Sequence, residues 1–318
     1  MKKTTALGHS TLQLNRIGLG CMGMSEFYGS FNEKESIATL QRAVDLGVNF
    51  FDTADMYGSG ANERLLGKAL KGRGNEVVLA TKFAVMRGPN GEFTGLNGKP
   101  EYIMKACNRS LQNLGVEAID LYYLHRKDPE VEIEETVGAM ADLVKQGKVR
   151  YIGLCEVDCE TLRRAHAVHP VSALQTEFSL WSREPEQEIF GLCTELGITF
   201  VAYSPLGRGF LTGRIRSRAD LEHGDWRLEN PRFSDEAIKK NLEFVAIVDR
   251  ISQSKGVSNA QVALAWLLGR NDEITAIPGT RNVHRLEENL GALNVELSRD
   301  ELAVIEENLP SETFGERY

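Results

Sequence analysis

The feature that most constrains the fold is a regular alternation of short apolar runs with longer amphipathic segments, which begins at residue 17. Eight of the runs have the length and the β-branched or aromatic composition of strands. They cover residues 17–20, 48–52, 77–81, 119–124, 149–153, 173–177, 199–203 and 274–277. Eight strands that each lead into a helix are typical of a closed barrel. The sequence therefore predicts one α/β domain, a (β/α)8 TIM barrel spanning residues 1–318.

The segments between the runs have the apolar spacing of helices. In the first of them, Ile37, Leu40 and Val44 are three and four residues apart, which places one apolar stripe toward a sheet. Several segments end in glycine shortly before the next strand, as at Gly47 and Gly115, where a left-handed cap needs no Cβ. These glycines predict where the helices end.

Two segments depart from the alternation. Residues 5–14 alternate around Gly8, which predicts a small N-terminal hairpin. Residues 211–233 are rich in Arg, Asp, Gly and Pro and show no period, over a length that is typical of a functional loop. We expect this loop to close over a ligand at the barrel mouth.

Charge and composition narrow the class of partner. The formal charge is −8, and Lys and Arg are dispersed among acids, so the sequence presents no basic stripe for nucleic acid or an anionic membrane. Residues 1–4 look like the start of a secretory signal, but residues 4–15 lack the apolar stretch that export requires, and no run has membrane-spanning length. We expect a cytoplasmic protein that acts on a small molecule; its oligomeric state is not specified.

The cysteines predict neither a metal site nor a disulfide framework. The five are odd in number, scattered, and lack the paired spacing of a zinc site. We expect reduced thiols and no metal. A redox pair of Cys155 and Cys159 is the alternative, although their spacing also fits a strand end followed by a helix start.

Four polar residues lie at or just beyond the ends of three consecutive strands. They are Asp52, Tyr57, Lys82 and His125. Because the carboxyl ends of barrel strands meet at one face, we expect these side chains to lie together. A phenol beside an ammonium, an imidazole and a carboxylate is a proton donor tuned by its neighbours. In the alternative interpretation, Lys82 and Asp52 form only an internal ion pair.

Longer motifs around these residues carry a family resemblance. The chain resembles an aldo-keto reductase over essentially its whole length, and it is similar to a branch with Gly-Leu-(Ser/Cys)-Glu after the fifth strand. The motifs are Gly18-Leu-Gly-Cys-Met-Gly23, Phe51-Asp-Thr-Ala-Asp-Met-Tyr-Gly58, Thr81-Lys-Phe83, Asp120-Leu-Tyr-Tyr-Leu-His125, Tyr203-Ser-Pro-Leu-Gly-Arg-Gly209 and Ile277-Pro-Gly-Thr-Arg281 with Glu288-Asn289.

The resemblance implies a reaction and roles for the four residues. An aldehyde or ketone would be reduced to an alcohol by hydride from NADPH. Tyr57 would be the general acid, Lys82 and His125 would lower its effective pKa and orient the carbonyl, and Asp52 would pair with Lys82. Hydride attack builds negative charge on the carbonyl oxygen, which a phenol held against that oxygen can protonate.

The resemblance also implies contacts to the nicotinamide half of the cofactor. Tyr203 would lie against the nicotinamide ring and Gln175 would hold its carboxamide. Many family members read Gly-Val-Ser-Asn after the fifth strand, whereas this chain has Gly153-Leu-Cys-Glu156. Cys155 and Glu156 would then be carboxamide contacts, with Glu156 accepting the amide protons, although a thiol is a weaker partner than a hydroxyl.

The phosphate groups would bind at two further segments. Backbone amides of residues 204–210 would wrap the pyrophosphate, with Ser204, Leu206 and Arg208 as contacts, unless this segment is an ordinary turn. Two guanidiniums flank a helix start after the eighth strand, which favours the 2′-phosphate of NADPH unless they are simply solvated. The contacts expected there are Gly279, Thr280, Arg281, Arg285, Glu288 and Asn289, with Gly279 standing where many relatives have Lys.

The sequence also suggests residues for a substrate pocket and leaves two alternative functions open. Met22, Met24 and Phe83 would line an apolar or aromatic carbonyl pocket together with Phe27, although Met24 and Phe27 fit loop packing equally well. The first rival is a cofactor-binding regulatory module without significant turnover, as in the reductase-like beta subunits of potassium channels. The second is a barrel isomerase or lyase that uses Lys82 as a Schiff base.

Overall fold

The computed structural model describes residues 2–317. Within that range lie twelve strands and ten α-helices. The strands are β1 (Thr4–Ala6), β2 (Gln13–Asn15), β3 (Leu19–Gly20), β4 (Phe50–Asp52), β5 (Val78–Phe83), β6 (Val85–Arg87), β7 (Phe93–Leu96), β8 (Ile119–Leu124), β9 (Val149–Cys155), β10 (Ala173–Glu177), β11 (Thr199–Tyr203) and β12 (Ile274–Ala276). The helices are α1 (Glu33–Asp45), α2 (Ala61–Ala69), α3 (Pro100–Leu114), α4 (Ile133–Lys145), α5 (Cys159–Val168), α6 (Ile189–Leu196), α7 (Asp235–Lys255), α8 (Asn259–Gly269), α9 (Val283–Leu290) and α10 (Arg299–Asn308).

Eight parallel strands form the central sheet in the order β3-β4-β5-β8-β9-β10-β11-β12. Parallel bridges between Ile17 and Ala276 and between Gly20 and Gly279 join the first and last of these strands. The sheet therefore curls into the predicted (β/α)8 TIM barrel, and all eight predicted strands are confirmed. The predicted N-terminal hairpin is confirmed as the antiparallel pair β1 and β2.

The strand period of two residues divides the apolar side chains between two cores. One core fills the barrel interior and contains Phe50, Val78 and Val201, together with Leu7 and Leu14 from the N-terminal hairpin. The hairpin covers the amino-terminal end of the barrel, where the Gly8 amide bonds the hydroxyl of Thr199 at the start of β11. The carboxyl end, where the sequence predicts the four polar residues, is therefore the end that the hairpin leaves uncovered.

The second core lies between the sheet and the surrounding helices. It contains the alternate strand residues, such as Phe51, Leu79 and Tyr122, packed against the apolar stripes of the helices. Gly115 and Gly197 end α3 and α6 with φ of 67° and 61°, as the sequence predicts for a left-handed cap. The central parallel sheet is thus covered on both faces, as parallel sheets require.

Two features of the carboxyl end complete the architecture. An antiparallel hairpin of β6 and β7, which the sequence analysis did not predict, follows β5 directly. Residues 211–233 form short 3-10 turns, and the Trp226 amide bonds the Phe27 carbonyl at 3.1 Å. The long loop therefore reaches the loop after β3. In the described range, no helix combines the length and apolar composition that a membrane span needs.

Candidate active site

An ion pair between two adjacent strands lies at the centre of the carboxyl face. Asp52 is the last residue of β4, and Lys82 points inward from β5. The Lys82 ammonium contacts Oδ1 of Asp52 and donates a hydrogen bond of 2.8 Å to the Thr53 carbonyl. Lys82 is fully buried and Asp52 is 3% exposed. The protein therefore holds a desolvated ammonium at a fixed position.

Tyr57 and His125 join this pair. The Lys82 Nζ lies 5.2 Å from the centre of the Tyr57 ring. The His125 ring meets the Tyr57 ring edge to face, with 5.8 Å between their centres. The structure thus brings together all four residues that the sequence placed at this face.

Hydrogen bonds to β5 and α3 fix the loop that carries Tyr57. The Asp55 amide donates to the Lys82 carbonyl at 3.0 Å, and its carboxylate accepts a bond of 2.9 Å from Arg109 on α3. After Tyr57 the chain turns through left-handed conformations at Gly58 and Ser59, with φ of 53° and 49°. These contacts hold the phenol beside Lys82 while the chain leaves the barrel toward α2.

Burial raises the pKa of Tyr57 to about 12, above the usual value of about 10 for a phenol. Lys82 acts in the expected direction, since its charge and hydrogen bond lower this pKa, but burial and the charge of Asp52 outweigh it. The expectation of a net lowering is therefore corrected. The phenol is protonated at neutral pH, which is the form that a general acid requires.

Lys82 remains charged in this site. Burial alone would lower the pKa of Lys82, but the Asp52 carboxylate and its hydrogen bond, together with Tyr57 and Cys155, raise it above the usual value for an amine. A Schiff base requires a neutral amine as the nucleophile. The geometry and charge of Lys82 therefore oppose the alternative in which it forms a Schiff base.

His125 is a neutral imidazole. Burial, with Lys82 and Arg126 nearby, holds the pKa of His125 well below its usual value. Its buried Nδ1 has no hydrogen-bond partner among the described residues. A neutral imidazole carries one N–H donor and one acceptor nitrogen. His125 can therefore contact a carbonyl oxygen without adding a proton of its own.

Three residues predicted to contact nicotinamide lie on the neighbouring strands. Gln175 Nε2 donates a hydrogen bond of 2.8 Å to Oδ2 of Asp52. Cys155 pairs with Gln175 across β9 and β10, and Tyr203 ends β11 opposite Glu177. Burial raises the pKa of Cys155 to about 12, so its thiol stays protonated. The barrel thus places these three beside the four central residues.

Glu156 is engaged by the protein itself. Its Oε1 accepts a hydrogen bond of 2.9 Å from the Glu177 amide, and its Oε2 contacts the Arg317 guanidinium. The residue also has a left-handed backbone with φ of 53°. A cofactor carboxamide at this position would have to share the carboxylate with Arg317.

The segment predicted to wrap the pyrophosphate has an unusual backbone. Ser204 and Arg208 have φ of 49° and 55°, and the intervening Gly207 has φ of 56°. A Cβ at Gly207 would approach the Trp181 ring to 2.7 Å, so only glycine fits there. The Leu206 carbonyl accepts the Gly209 and Leu211 amides at 3.0 and 3.2 Å. This is a compact loop with left-handed residues, a geometry that can gather amides around an anion.

Arginines cluster at the predicted 2′-phosphate site. Burial and the charges of Arg214 and Arg281 lower the pKa of Arg285, so the three charges lie close enough to act on one another. Glu288 lies 3.5 Å from Arg214. Arg281 donates bonds of 3.1 Å to the carbonyls of Gly23 and Tyr28, which leaves further donors of its five. The cluster carries excess positive charge that an anion would relieve.

The remaining predicted contacts lie in the same region. Gly279 bridges Gly20 across the barrel seam. The Thr280 hydroxyl accepts a bond of 3.1 Å from the Asn282 amide, and Asn282 caps α9. Asn289 is buried, with 4% of its surface exposed. Gly279 and Thr280 thus lie just before the start of α9, and Asn289 lies near its end.

The structure places two of the predicted substrate contacts, Phe83 and Met24, in the outer core. Phe83 is fully buried in the outer core and stacks on Tyr122, with 4.9 Å between ring centres. It points outward because it follows the inward-facing Lys82 on β5. Met24 is also buried in the outer core, which agrees with the packing alternative. Met22 is partly exposed after β3 and stays a prediction.

Phe27, which the sequence places in the first loop near the expected pocket, is an aromatic neighbour of the site, whereas a buried charge cluster around Glu177 was not predicted. Phe27 meets the Tyr57 ring edge to face, with 6.4 Å between ring centres. Glu177, which is fully buried, pairs with Arg208, Arg232 and Arg317. The strand period could have found Glu177, since it lies two residues after Gln175 on the inward face. Its partners come from distant segments and carry no sequence signal.

Comparisons with known proteins agree with this geometry. Residues 16–309 match the model of the Aldo/keto reductase family. The chain is 46% identical to "Aldo-keto reductase yakc [NADP(+)]" of Schizosaccharomyces pombe, over 99% of this chain and 94% of that protein.

Solved structures share the fold. An aldo/keto reductase from Klebsiella pneumoniae in complex with NADP and acetate has a TM-score of 0.77 and 27% identity, covering 100% of this chain and 99% of its own. A glycerol dehydrogenase from Gluconobacter oxydans has a TM-score of 0.87 at 24% identity, covering 96% and 95% of the two chains, and supports the fold alone. With four polar side chains gathered at the mouth of such a barrel, this chain belongs to the aldo/keto reductase family.

Proposed function

We propose that this chain reduces aldehydes or ketones to alcohols with NADPH, and that Tyr57 is the general acid. The observation that carries the proposal is the contact of the Tyr57 ring with both the Lys82 ammonium and the His125 imidazole. A protonated phenol, a fixed ammonium and a neutral imidazole at one barrel mouth suit protonation of a developing alkoxide.

The roles follow from the charges. When bound, NADPH supplies the hydride. The Tyr57 O–H donates its proton to the carbonyl oxygen as negative charge develops there, because an alkoxide is more basic than a phenolate. Lys82 stabilises the phenolate that remains, and Asp52 keeps the ammonium charged and aimed. His125 orients the carbonyl through a ring N–H.

The positive charge and the backbone conformation at the carboxyl end of the barrel fit NADPH. The mutually repelling guanidiniums of Arg285, Arg281 and Arg214 suit a 2′-phosphate, which NADH lacks. The left-handed backbone of residues 204–210 suits the pyrophosphate, and Gln175 and Tyr203 would hold the nicotinamide. The further assigned contacts are Cys155, Glu156, Ser204, Leu206, Arg208, Gly279, Thr280, Glu288 and Asn289.

The carbonyl pocket is assigned to the side of Tyr57 that faces the loop after β3. Phe27 packs on the Tyr57 ring and Met22 lies on the same loop. The Arg87 guanidinium lies 5.5 Å from the centre of the Phe27 ring. Residues 211–233, which contact this loop through Trp226, would close over the bound cofactor or substrate. An apolar or aromatic carbonyl compound fits these surroundings best.

The test is oxidation of NADPH and NADH over a panel of aldehydes and ketones, with Tyr57→Phe alongside. We expect turnover with NADPH, lowered by roughly 10²- to 10⁴-fold in Tyr57→Phe. Tyr122→Phe is the matched control: it also removes one buried phenol hydroxyl, but from the outer core. Near wild-type turnover in Tyr57→Phe would refute the acid assignment. NADPH binding without turnover on any carbonyl would favour the regulatory-module alternative.

A further inference from the structure

Glu177 forms the centre of a charge cluster that the proposed chemistry does not use. It ends β10 two residues beyond Gln175, faces the barrel mouth and is fully buried. Its Oε2 accepts a hydrogen bond of 2.8 Å from Arg208 and lies 3.5 Å from Nε of Arg317. Its Oε1 lies 3.5 Å from Arg232 and accepts a bond of 3.2 Å from Ser182.

The three arginines come from three separate segments of the carboxyl face. Arg208 belongs to the 204–210 loop, which we assign to the pyrophosphate. Arg232 ends the long 211–233 loop, and Arg317 belongs to the C-terminal segment, residues 313–317. One buried carboxylate on a rigid strand therefore joins three irregular segments that have no sheet hydrogen bonds to hold them.

The C-terminal segment is fastened at several points around this carboxylate. Asn241 exchanges two bonds of 2.9 Å with the Phe314 backbone, and the Thr313 hydroxyl donates to the Trp181 carbonyl. The Arg317 carbonyl accepts a bond of 2.9 Å from Asn230. Arg317 also contacts Glu156, so its side chain spans two carboxylates at the barrel mouth.

The 204–210 loop depends on the same carboxylate. Arg208 has a left-handed backbone with φ of 55° and ψ of 30°, which is unfavourable for a residue with a Cβ. Such a conformation persists only where the surroundings fix it. Here Glu177 holds the Arg208 side chain, and Arg227 donates a bond of 2.7 Å to its carbonyl. Without Glu177, three buried or half-buried guanidiniums would face one another.

We propose that Glu177 is a positioning residue that holds the 204–210 loop in its NADPH-binding conformation and couples that loop to the C-terminal segment through Arg208 and Arg317. This inference rests on the proposed function, because it assumes that the loop binds the cofactor. Glu177 acts through Arg208, and the charged groups that act most strongly on it are Arg208, Arg317, Arg232 and Glu156, none of which we assign to the proton transfer at Tyr57. Its loss should therefore weaken cofactor binding more than it slows the reaction.

The experiment compares wild type with Glu177→Gln, which keeps the shape of the side chain and removes its charge. We expect the Kd and KM for NADPH to rise on the order of 10- to 100-fold, while kcat at saturating NADPH falls much less. Hydrogen exchange of the free protein should show faster exchange in residues 204–210 and 313–317 together. Glu177→Asp, which keeps the charge, should restore part of the affinity.

Two further variants keep the test decisive. Glu195→Gln removes a carboxylate that pairs with Arg163 on the exposed surface and should leave binding and exchange unchanged. If Glu177→Gln does not fold, Arg317→Gln tests the coupling instead, because the Arg317 side chain is only half-buried. This variant should speed hydrogen exchange in residues 204–210 as well as in residues 313–317. An unchanged NADPH Kd, or faster exchange spread over the whole barrel, would overturn the inference. Failure of wild type to bind NADPH would instead refute the proposed function.

Discussion

The side-chain amide of Gln175 donates a hydrogen bond of 2.8 Å to Oδ2 of Asp52. The other oxygen of Asp52 contacts the Lys82 ammonium, so one carboxylate touches a residue assigned to nicotinamide and the cation beside the proposed acid. Because all three side chains project from barrel strands, their relative positions are fixed without a ligand. The proposed cofactor and proton-donor halves of the site therefore share one electrostatic element.

In Asp52→Asn, we expect the activity to fall as the pH rises. Burial alone lowers the pKa of Lys82, and Asp52 is the main group that opposes it. In the variant we expect the ammonium to lose its proton as pH rises through the neutral to alkaline range, so activity falls with rising pH while wild type keeps it. We also expect kcat to drop by roughly 10²- to 10⁴-fold. The measurement is kcat against pH at saturating NADPH.

A matched control for this variant lies at the other end of the barrel. Asp120 accepts a bond of 2.9 Å from the Leu79 amide and pairs with Arg150, away from Lys82. Asp120→Asn should keep the wild-type pH profile. An Asp52→Asn protein with that same profile would show that Asp52 does not keep Lys82 charged.

His125 should make the folded protein less stable in mild acid. Its folded-state pKa is depressed, so below about pH 6.5 the unfolded chain takes up a proton that the native protein does not. The free energy of unfolding therefore decreases as pH falls through that value, with a slope of up to about 1.4 kcal/mol per pH unit from this residue. Urea unfolding at several pH values should show a shallower acid loss in His125→Asn. Equal pH dependence in both proteins would contradict a buried neutral His125.

Arg285→Ala should weaken NADPH binding selectively. The residue sits among Arg214 and Arg281 in a cluster that we assign to the 2′-phosphate. A charge-assisted hydrogen bond contributes about 1.5–3 kcal/mol, so the Kd for NADPH should rise by roughly one to two orders of magnitude. The Kd for NADH should stay the same. Arg299→Ala, at an exposed position on α10, is the control, and equal losses for both cofactors would count against the phosphate assignment.

Phe27 and Phe83 should respond to substitution in opposite ways. Phe27 packs on the Tyr57 ring, so Phe27→Ala should raise the KM for aromatic carbonyls, with little change in the Kd for NADPH. Phe83 is in the outer core, so Phe83→Leu should lower the free energy of unfolding by about 1 kcal/mol and leave the carbonyl KM unchanged. Steady-state kinetics and urea unfolding measure both. A changed KM for the carbonyl substrate in Phe83→Leu would show that Phe83 contributes to the substrate pocket.

Some of what the structure corrected was within reach of the sequence. The two-residue period of β5 places Phe83 on the opposite face from Lys82, so its place in the outer core follows from a local rule. The same period places Glu177 beside Gln175 on the inward face. The β6–β7 hairpin was harder to predict, because short strands around Gly88 and Gly91 resemble an ordinary polar loop.

By itself, the sequence determined the eight barrel strands and the face where Asp52, Tyr57, Lys82 and His125 meet. Strand period and short strand–helix connections are local properties that order a parallel barrel. The tertiary structure decided the net pKa of Tyr57, because the depth of burial is set by the whole barrel and here outweighs the charge of Lys82. It also decided that Arg208, Arg232 and Arg317 share Glu177, since that meeting depends on how distant loops pack over one strand end.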